Sequence, residues 1–428
     1  MTKTPSRRVL FVILRLPRPL ISVRGLVAGQ EAMSGTHSTS LLIADGLAQR
    51  GWEVGMLILD GGRLTETSVE TFNDIAQARS WLGNNRAVWC YQGNAGIMEK
   101  LRQAQVRPVV WSHIDLSSEI SDWLDQDWIT GVVTVSDFCR LALLHHSGHR
   151  RIGRIYNPLN PFYAGENGTQ SIVRAHPRQA VFPGYVGETK GAHHLFQCWR
   201  HVRRALPDAR LVVAGSAKLY REDASVGPFG VASPEFERRY ISPLIQEFGS
   251  LAQAGIHLAG LLSPVELRSL YQQSSLGVIN LNAHNATETF SCSGVEMAAC
   301  GLRVLSMASA ALPETVGFTG NAVLVAQPAQ LVPAFVNALN QPLDPKNIET
   351  QKQQIRNRYR LSRIVDDWEE LLIAHADRFC DLAGPWQYKK NFRYLVKITL
   401  ARIHAGRLLD GFLELRRALI RTGGDTPS

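Results

Sequence analysis

A chain of 428 residues with 45% hydrophobic content is long enough to bury two cores of ordinary domain size. Its 46 Lys and Arg against 37 Asp and Glu leave a net charge of +9, which points to an acidic partner: a nucleotide, a nucleic acid or an anionic membrane. The six cysteines (Cys90, Cys139, Cys198, Cys292, Cys300, Cys380) form no C-x-x-C pair, which speaks against a disulfide framework or zinc ribbon and reads as reduced thiols in a cytosol.

The opening MTKTPSRRVLFVILRLPRP sets basic residues ahead of an apolar run. Arg15 closes that run after residues 9–14, too short for the apolar region of a signal peptide or for a membrane span. A buried first strand is expected instead. Residues 38–50 then read as an amphipathic helix ended by Gly51, and 54–59 as a second strand. Runs at 87–91, 108–112 and 131–135 continue the series, so the first half predicts a doubly wound parallel sheet. In Met33-Ser-Gly35-Thr-His37, Gly35 would let backbone approach a ligand at a helix start, although a glycine there also serves a plain turn. His113 ends a predicted strand in Val109-Val-Trp-Ser-His113-Ile-Asp115, and ligands of such sheets bind at the carboxyl ends of strands. A lone histidine there can equally be structural.

Two other polar groups in this half have the look of metal sites. Asp125-Gln-Asp127 has the form of a metal-binding aspartate pair but lies between Trp123 and Trp128, ahead of a strand rather than after one. His145, His146 and His149 include an i, i+4 pair, yet no carboxylate or cysteine completes a zinc set, and a basic surface helix end is expected.

The second half opens with a strand running into the glycine-flanked loop Gly184-Tyr185-Val-Gly187-Glu-Thr-Lys190-Gly191 and then a helix. Such loops hold phosphate on helix N–H groups, with Lys190 as point charge. Strands follow at 211–215 and 256–259, and Ser263-Pro264 opens a capped helix. Residues 216–240 show no periodicity and read as a loop elaboration near the nucleotide. From 277 to 316 come a strand (277–281), a polar loop (282–289), a helix capped by Ser291 and Ser293 that stops at Gly301, and a strand (302–307). This is a βαβ unit. Glu288 precedes the helix and Glu296 lies in its opening turns, seven residues between them, so both carboxylates can face one pocket. The free N–H groups of Phe290 to Ser293 lie between them. A helix start suits phosphate and carboxylates suit hydroxyls, the two halves of a nucleotide sugar. Two glutamates at this spacing also arise by chance.

Glu288-Thr-Phe290, Glu296-Met-Ala-Ala-Cys-Gly301 and Pro313-Glu314 resemble the donor-site signature of the family-4 retaining glycosyltransferases, which have the two-domain GT-B fold. The resemblance is continuous over 181–316 and patchy before it. It implies that Glu288 holds the donor sugar, Glu296 the ribose, and the amides of Phe290 and Ser291 the phosphates; Ser291 stands where the family has glycine. It also implies that His113 lies beside the donor sugar, that Gly35 faces the donor phosphates and that Lys190 clamps the diphosphate. The arginine that shares this clamp is replaced by Tyr185. Gly131-Val-Val-Thr-Val-Ser136 and Arg154-Ile-Tyr-Asn157-Pro resemble the strand-then-serine and the asparagine turn that precede the family's second domain, and that resemblance implies a boundary near residues 157–170. By the same resemblance two Rossmann-like domains span 1–165 and 166–361, a helix at 362–384 (expected to run through Trp368 to Phe379) crosses back, and 385–428 is a basic tail. The implied reaction moves a sugar from a nucleotide-sugar donor to a carbohydrate or lipid-linked acceptor, in cell-surface polysaccharide or glycolipid synthesis. Neither a cofactor nor a metal is expected. A nucleotide-sugar epimerase and a catalytically silent partner subunit are the alternatives.

Within 386–421 stand Lys389, Lys390, Arg393, Lys397, Arg402, Arg407, Arg416, Arg417 and Arg421 against Asp410 and Glu414 only, with Phe392, Leu395, Ile403, Leu408, Phe412 and Leu419 available for an apolar side. Such a helix either packs on its own protein or lies on an anionic membrane surface. A cytoplasmic protein is expected on either reading, and on the second it is peripheral to the inner face of the membrane. No nucleic-acid reading motif accompanies the charge.

Overall fold

The computed structural model describes residues 7–114, 118–144, 146, 148–165, 176–219, 223–282 and 288–383. The first half builds nine short strands: β1 (Arg8–Ile13), β2 (Leu20–Ser22), β3 (Glu53–Ile58), β4 (Arg63–Thr65), β5 (Glu70–Phe72), β6 (Arg86–Tyr91), β7 (Val109–Ser112), β8 (Gly131–Thr134) and β9 (Ile152–Arg154). Seven of them form one sheet in the order β5-β3-β1-β6-β7-β8-β9, while β2 and β4 pair beside it. The second half adds β10 (Gln179–Gly184), β11 (Arg210–Gly215), β12 (Ile256–Leu258), β13 (Leu276–Val278), β14 (Arg303–Met307) and β15 (Val323–Val325), ordered β12-β11-β10-β13-β14-β15. Both large sheets are parallel throughout. Helices cover both faces of each sheet, so strands such as Val9 to Ile13 read as unbroken apolar runs, every residue buried.

The strand orders locate the crevices. The first sheet grows outward from β1 through β3 to β5 and then restarts on the other side of β1 with β6. The second does the same around β10, which has β11 on one side and β13 on the other. At such reversals neighbouring connections leave in opposite directions and open a cleft at the carboxyl ends of the strands. Lys190 follows β10 and Asn280 to Asn282 follow β13, so both issue from the second reversal.

One apolar cluster runs continuously from the first sheet to the second and includes Phe11, Trp111, Tyr156, Phe290, Tyr359 and Trp368. The helix Leu361–Ile373 carries Trp368 back to the first sheet, where its ring lies 4.7 Å from Trp111 and 6.2 Å from Phe11. Arg50 pairs with Asp366 and Glu369, and Trp52 donates to Glu369 at 2.8 Å, fastening the outer face of the same helix. This helix is shorter than expected: Ala374 turns extended, and short turns at Ala376–Arg378 and Phe379–Leu382 replace a continuous helix to residue 379.

Other departures have local causes. The first long helix begins at Gly35 rather than 38, because its opening Gly-Thr-His turn carries no apolar period. Residues 216–240 are more than a loop: Pro234–Phe236 runs into a π-helical turn, Glu237–Ile241. The fully buried Glu237 accepts from the N–H groups of Phe229, Val231 and Ala232 at 2.8–2.9 Å and ties down the preceding stretch. One carboxylate does there what a helical or strand period does elsewhere.

Candidate functional site

The site begins where the loop after β10 packs on the segment after β13. Gly191 has φ +70°, and a Cβ there would stand 2.5 Å from the Asn282 nitrogen; only glycine permits both the conformation and the approach. Leu281 donates its N–H to the Lys190 carbonyl at 3.2 Å, and Asn282 Nδ2 donates to the Glu188 carbonyl at 3.0 Å. Joined in this way, the two loops bring Lys190 Nζ to 2.6 Å from Glu288 Oε2. Asn280 Nδ2 reaches the same oxygen at 3.3 Å. Glu288 is buried, its carbonyl accepts from the Ala311 N–H at 3.1 Å, and its Oε1 has no hydrogen-bond partner among the described residues.

The helix Cys292–Ala299 starts directly beyond. Ser291 caps it, its Oγ accepting from the Gly294 N–H at 3.2 Å; Ser293 lies inside the helix and plays no part in the cap. Phe290 is held among Tyr156 and Tyr359, with ring centroids 6.2 and 5.4 Å away. Glu296 is half-buried one turn on, without a hydrogen-bond partner among the described residues, and burial pushes its carboxyl up to about 7. The charges of Glu296 and Glu288 both act on the Cys292 thiol, which burial first and these carboxylates second push up to about 12. The two glutamates therefore flank one helix start.

The first half closes the site from the other side. Gly35 begins the helix Gly35–Gln49, and a Cβ on it would stand 2.9 Å from Cys292 Sγ, so the two helix starts meet. Thr289 Oγ1 donates to the His113 carbonyl at 2.7 Å, joining the β7 end to the Glu288 loop. His113 is 8% exposed, its ring 4.4 Å from Trp111, and its Nε2 has no hydrogen-bond partner among the described residues. Burial, helped by nearby His37, pushes its pKa down to about 3, so the imidazole is neutral. Glu288, Lys190, Phe290, Ser291, Glu296, Gly35 and His113 thus converge on the region where the two sheets face each other.

Residues 169–361 match the family model described as glycosyl transferases group 1. The chain carries a group 1 glycosyl transferase domain. It is a glycosyltransferase, and its fold, two parallel α/β units facing a cleft, is the GT-B fold. Among solved structures it is similar to sucrose-phosphate synthase from Thermosynechococcus elongatus at 14% identity and TM-score 0.59, over 85% of this chain and 98% of that one. It is also similar to Anabaena HepE in complex with UDP and glucose at 14% identity and TM-score 0.59, over 86% and 99%. A glycosyltransferase from Rickettsia africae gives 15% identity and TM-score 0.62, over 86% and 98%. At these identities the likeness is one of fold. No curated protein matches the sequence.

The glycosyltransferase uses Pro313-Glu314 in a way the sequence did not reveal. Glu314 Oε1 accepts from the Asp137 N–H at 2.7 Å and the Tyr156 hydroxyl at 2.8 Å, and Oε2 accepts from the Phe138 N–H at 3.1 Å. A carboxylate beside the second sheet therefore caps the helix Asp137–Leu143 of the first. Burial and the neighbouring Asp137 push the Glu314 carboxyl up. Asp137 itself is balanced by Arg154 at 3.2 Å and Arg140 at 3.7 Å. The available signal was a lone acid in the apolar stretch Ala310-Ala-Leu-Pro-Glu314.

The remaining polar groups are engaged elsewhere. The Tyr185 ring folds over Gly187 in the loop after β10. Asp127 pairs with Arg107 and with Arg151 at 2.9 Å, and Asp125 lies 3.0 Å from His146 Nε2; both precede β8, at the end of the sheet away from the cleft. His146 is buried, contrary to the expectation of a surface helix end, because it fills the space beside Asp125 and accepts from the Gly148 N–H at 2.9 Å. His145 lies outside the described residues. Among the described residues, no group of three or more His, Cys, Asp and Glu could hold a metal ion.

Proposed function

We propose that this glycosyltransferase moves a sugar from a nucleotide-sugar donor to a carbohydrate or lipid-linked acceptor, with retention at the anomeric carbon, in cell-surface polysaccharide or glycolipid synthesis. The observation that carries the reading is the convergence of Glu288, Lys190 and the start of helix Cys292–Ala299 at the cleft between the sheets. The unpartnered Glu288 Oε1 takes a donor-sugar hydroxyl. Glu296 takes the ribose hydroxyls. Amides of Phe290 and Ser291, with Lys190, take the diphosphate, where charge grows as the glycosidic bond breaks and fixed donors stabilise it most. Neutral His113 offers its unpartnered Nε2 to the sugar, and Gly35 gives backbone room beside the phosphates. Helix amides and Lys190 can neutralise the leaving group, so the chemistry needs no divalent metal.

HepE has been solved with UDP and glucose, which makes the uridine nucleotides the first to try. The test is a thermal-shift series with UDP, GDP and ADP and their glucose esters, in EDTA. One nucleotide and its sugar ester should raise the melting temperature with the logarithm of concentration. No shift with any of them, or a shift that appears only with manganese or magnesium, would count against the reading. Tyr185, in place of the arginine that the resemblance leads one to expect, favours a second reading as a catalytically silent partner subunit. Nucleotide binding without turnover in the presence of acceptor would select it.

The proposal extends to a cytoplasmic location at the inner membrane face. No helix of the described residues is long and apolar enough to cross a membrane. Residues 386–421, with nine basic and two acidic side chains, lie outside the described residues. Each Lys or Arg near an anionic surface contributes about 1 kcal/mol, screened by salt. The protein should sediment with anionic vesicles, stay in solution with neutral ones, and come off in high salt; indifference to anionic vesicles would refute the attachment.

A further inference from the structure

We infer that Asn280 is a positioning residue for Glu288, holding its carboxylate in place when Lys190 is drawn to the donor phosphates; the inference rests on the donor-site reading above. Asn280 lies just past β13 and is 3% exposed. Its carbonyl accepts from Ser306 Oγ at 3.0 Å and from the Met307 N–H at 3.3 Å, which fixes its backbone to β14. The orientation of its side-chain amide is also determined. Oδ1 accepts the Asn282 N–H at 3.0 Å, so the NH2 group must be the one that faces Glu288 Oε2 at 3.3 Å. That oxygen has two donors of different kinds. Lys190 carries its charge on a flexible four-carbon stem that a diphosphate can compete for, whereas Asn280 is neutral, short and pinned at both ends. With Oε2 held by Asn280, Oε1 stays directed to the ligand whether or not Lys190 has moved.

Asn280→Asp is the discriminating change, because it is nearly isosteric and keeps an oxygen for the Asn282 N–H while placing a second carboxylate against Glu288. In the ligand-free protein N280D is expected to lower the urea midpoint in the wild-type background and to have little effect in E288Q, where the new amide can donate to the introduced carboxylate. Equal effects in both backgrounds would overturn the contact. With the sugar nucleotide that gives the largest thermal shift, N280D should cut kcat/KM by at least about tenfold and move the acid limb of its pH profile upward, since neighbouring carboxylates do not both ionise readily. An unmoved acid limb in N280D, with E288A inactive, would overturn the positioning role and leave the donor site standing. Full activity in E288A would instead remove the donor-site reading itself.

Discussion

Glu288→Ala and Glu296→Ala should each lower kcat/KM for sugar transfer by about a hundredfold or more, with circular dichroism unchanged. Each carboxylate serves the ligand in the proposed site, and a hydrogen bond to a charged group contributes about 1.5–3 kcal/mol. A hundredfold loss corresponds to about 2.7 kcal/mol, and interactions that strengthen in the transition state exceed that. The two residues should differ in their dependence on pH. Burial holds the Glu296 carboxyl near 7, against an ordinary value of 4.5, so the ligand-free protein keeps its proton in mildly acid solution. Ribose hydroxyls donate to the ionised form. Sugar-nucleotide affinity should therefore climb as pH rises toward about 7 and then level, a slope that Glu296→Gln abolishes. The sign for stability is opposite. Between 4.5 and about 7 the folded state binds more protons at Glu296 than the unfolded chain, so the ligand-free protein loses this contribution as pH rises through that window. Calorimetric titration of wild type and E296Q across the window checks both signs, and flat wild-type affinity would contradict the assignment of Glu296 to the ribose.

The second large effect is expected at Glu314, away from the ligand. Glu314→Ala removes the carboxylate that accepts from the Asp137 and Phe138 N–H groups and the Tyr156 hydroxyl, in a largely buried contact between the two halves. Unsatisfied buried donors and a broken buried charge network cost on the order of 3–5 kcal/mol together. Glu314→Gln should cost less, since its remaining oxygen still accepts while its NH2 opposes one of the donors. The measurement is the urea midpoint of the three proteins by circular dichroism. An alanine variant as stable as wild type would mean that the cap is dispensable.

Features whose physics is local or periodic were legible in the sequence. The apolar runs at 9–14 and 87–91 read as strands buried on both faces, and residues 9–13 and 87–91 are, with Leu14 past the strand end and half-buried. Ser263-Pro264 with Glu266 forms a full capping box, because both partners sit within one turn. The spacing of Glu288 and Glu296 allowed them to flank one helix start but also arises by chance, and it was the residues around them that singled the pair out. What stayed hidden depends on chain segments far apart. Lys190 and Glu288 pair across 98 residues, and Glu314 and Asp137 across 177, separations at which no local pattern marks the partner. Asn280 fell inside the strand expected at 277–281, whereas the strand ends at Val278, and its importance lies in which way its amide is turned. Glu237 was hidden differently: it organises a stretch with no period at all. The three-residue strands β2, β4, β5 and β9 are too short to show alternation.

The most direct measurement is release of nucleoside diphosphate from sugar nucleotides, followed by 31P NMR with an acceptor mixture and EDTA, for wild type and Glu288→Ala side by side. The donor-site assignment predicts release by wild type from one sugar nucleotide, undiminished by EDTA, and next to none by Glu288→Ala. Release that Glu288→Ala retains in full would contradict it, and so would activity that returns only with a divalent metal.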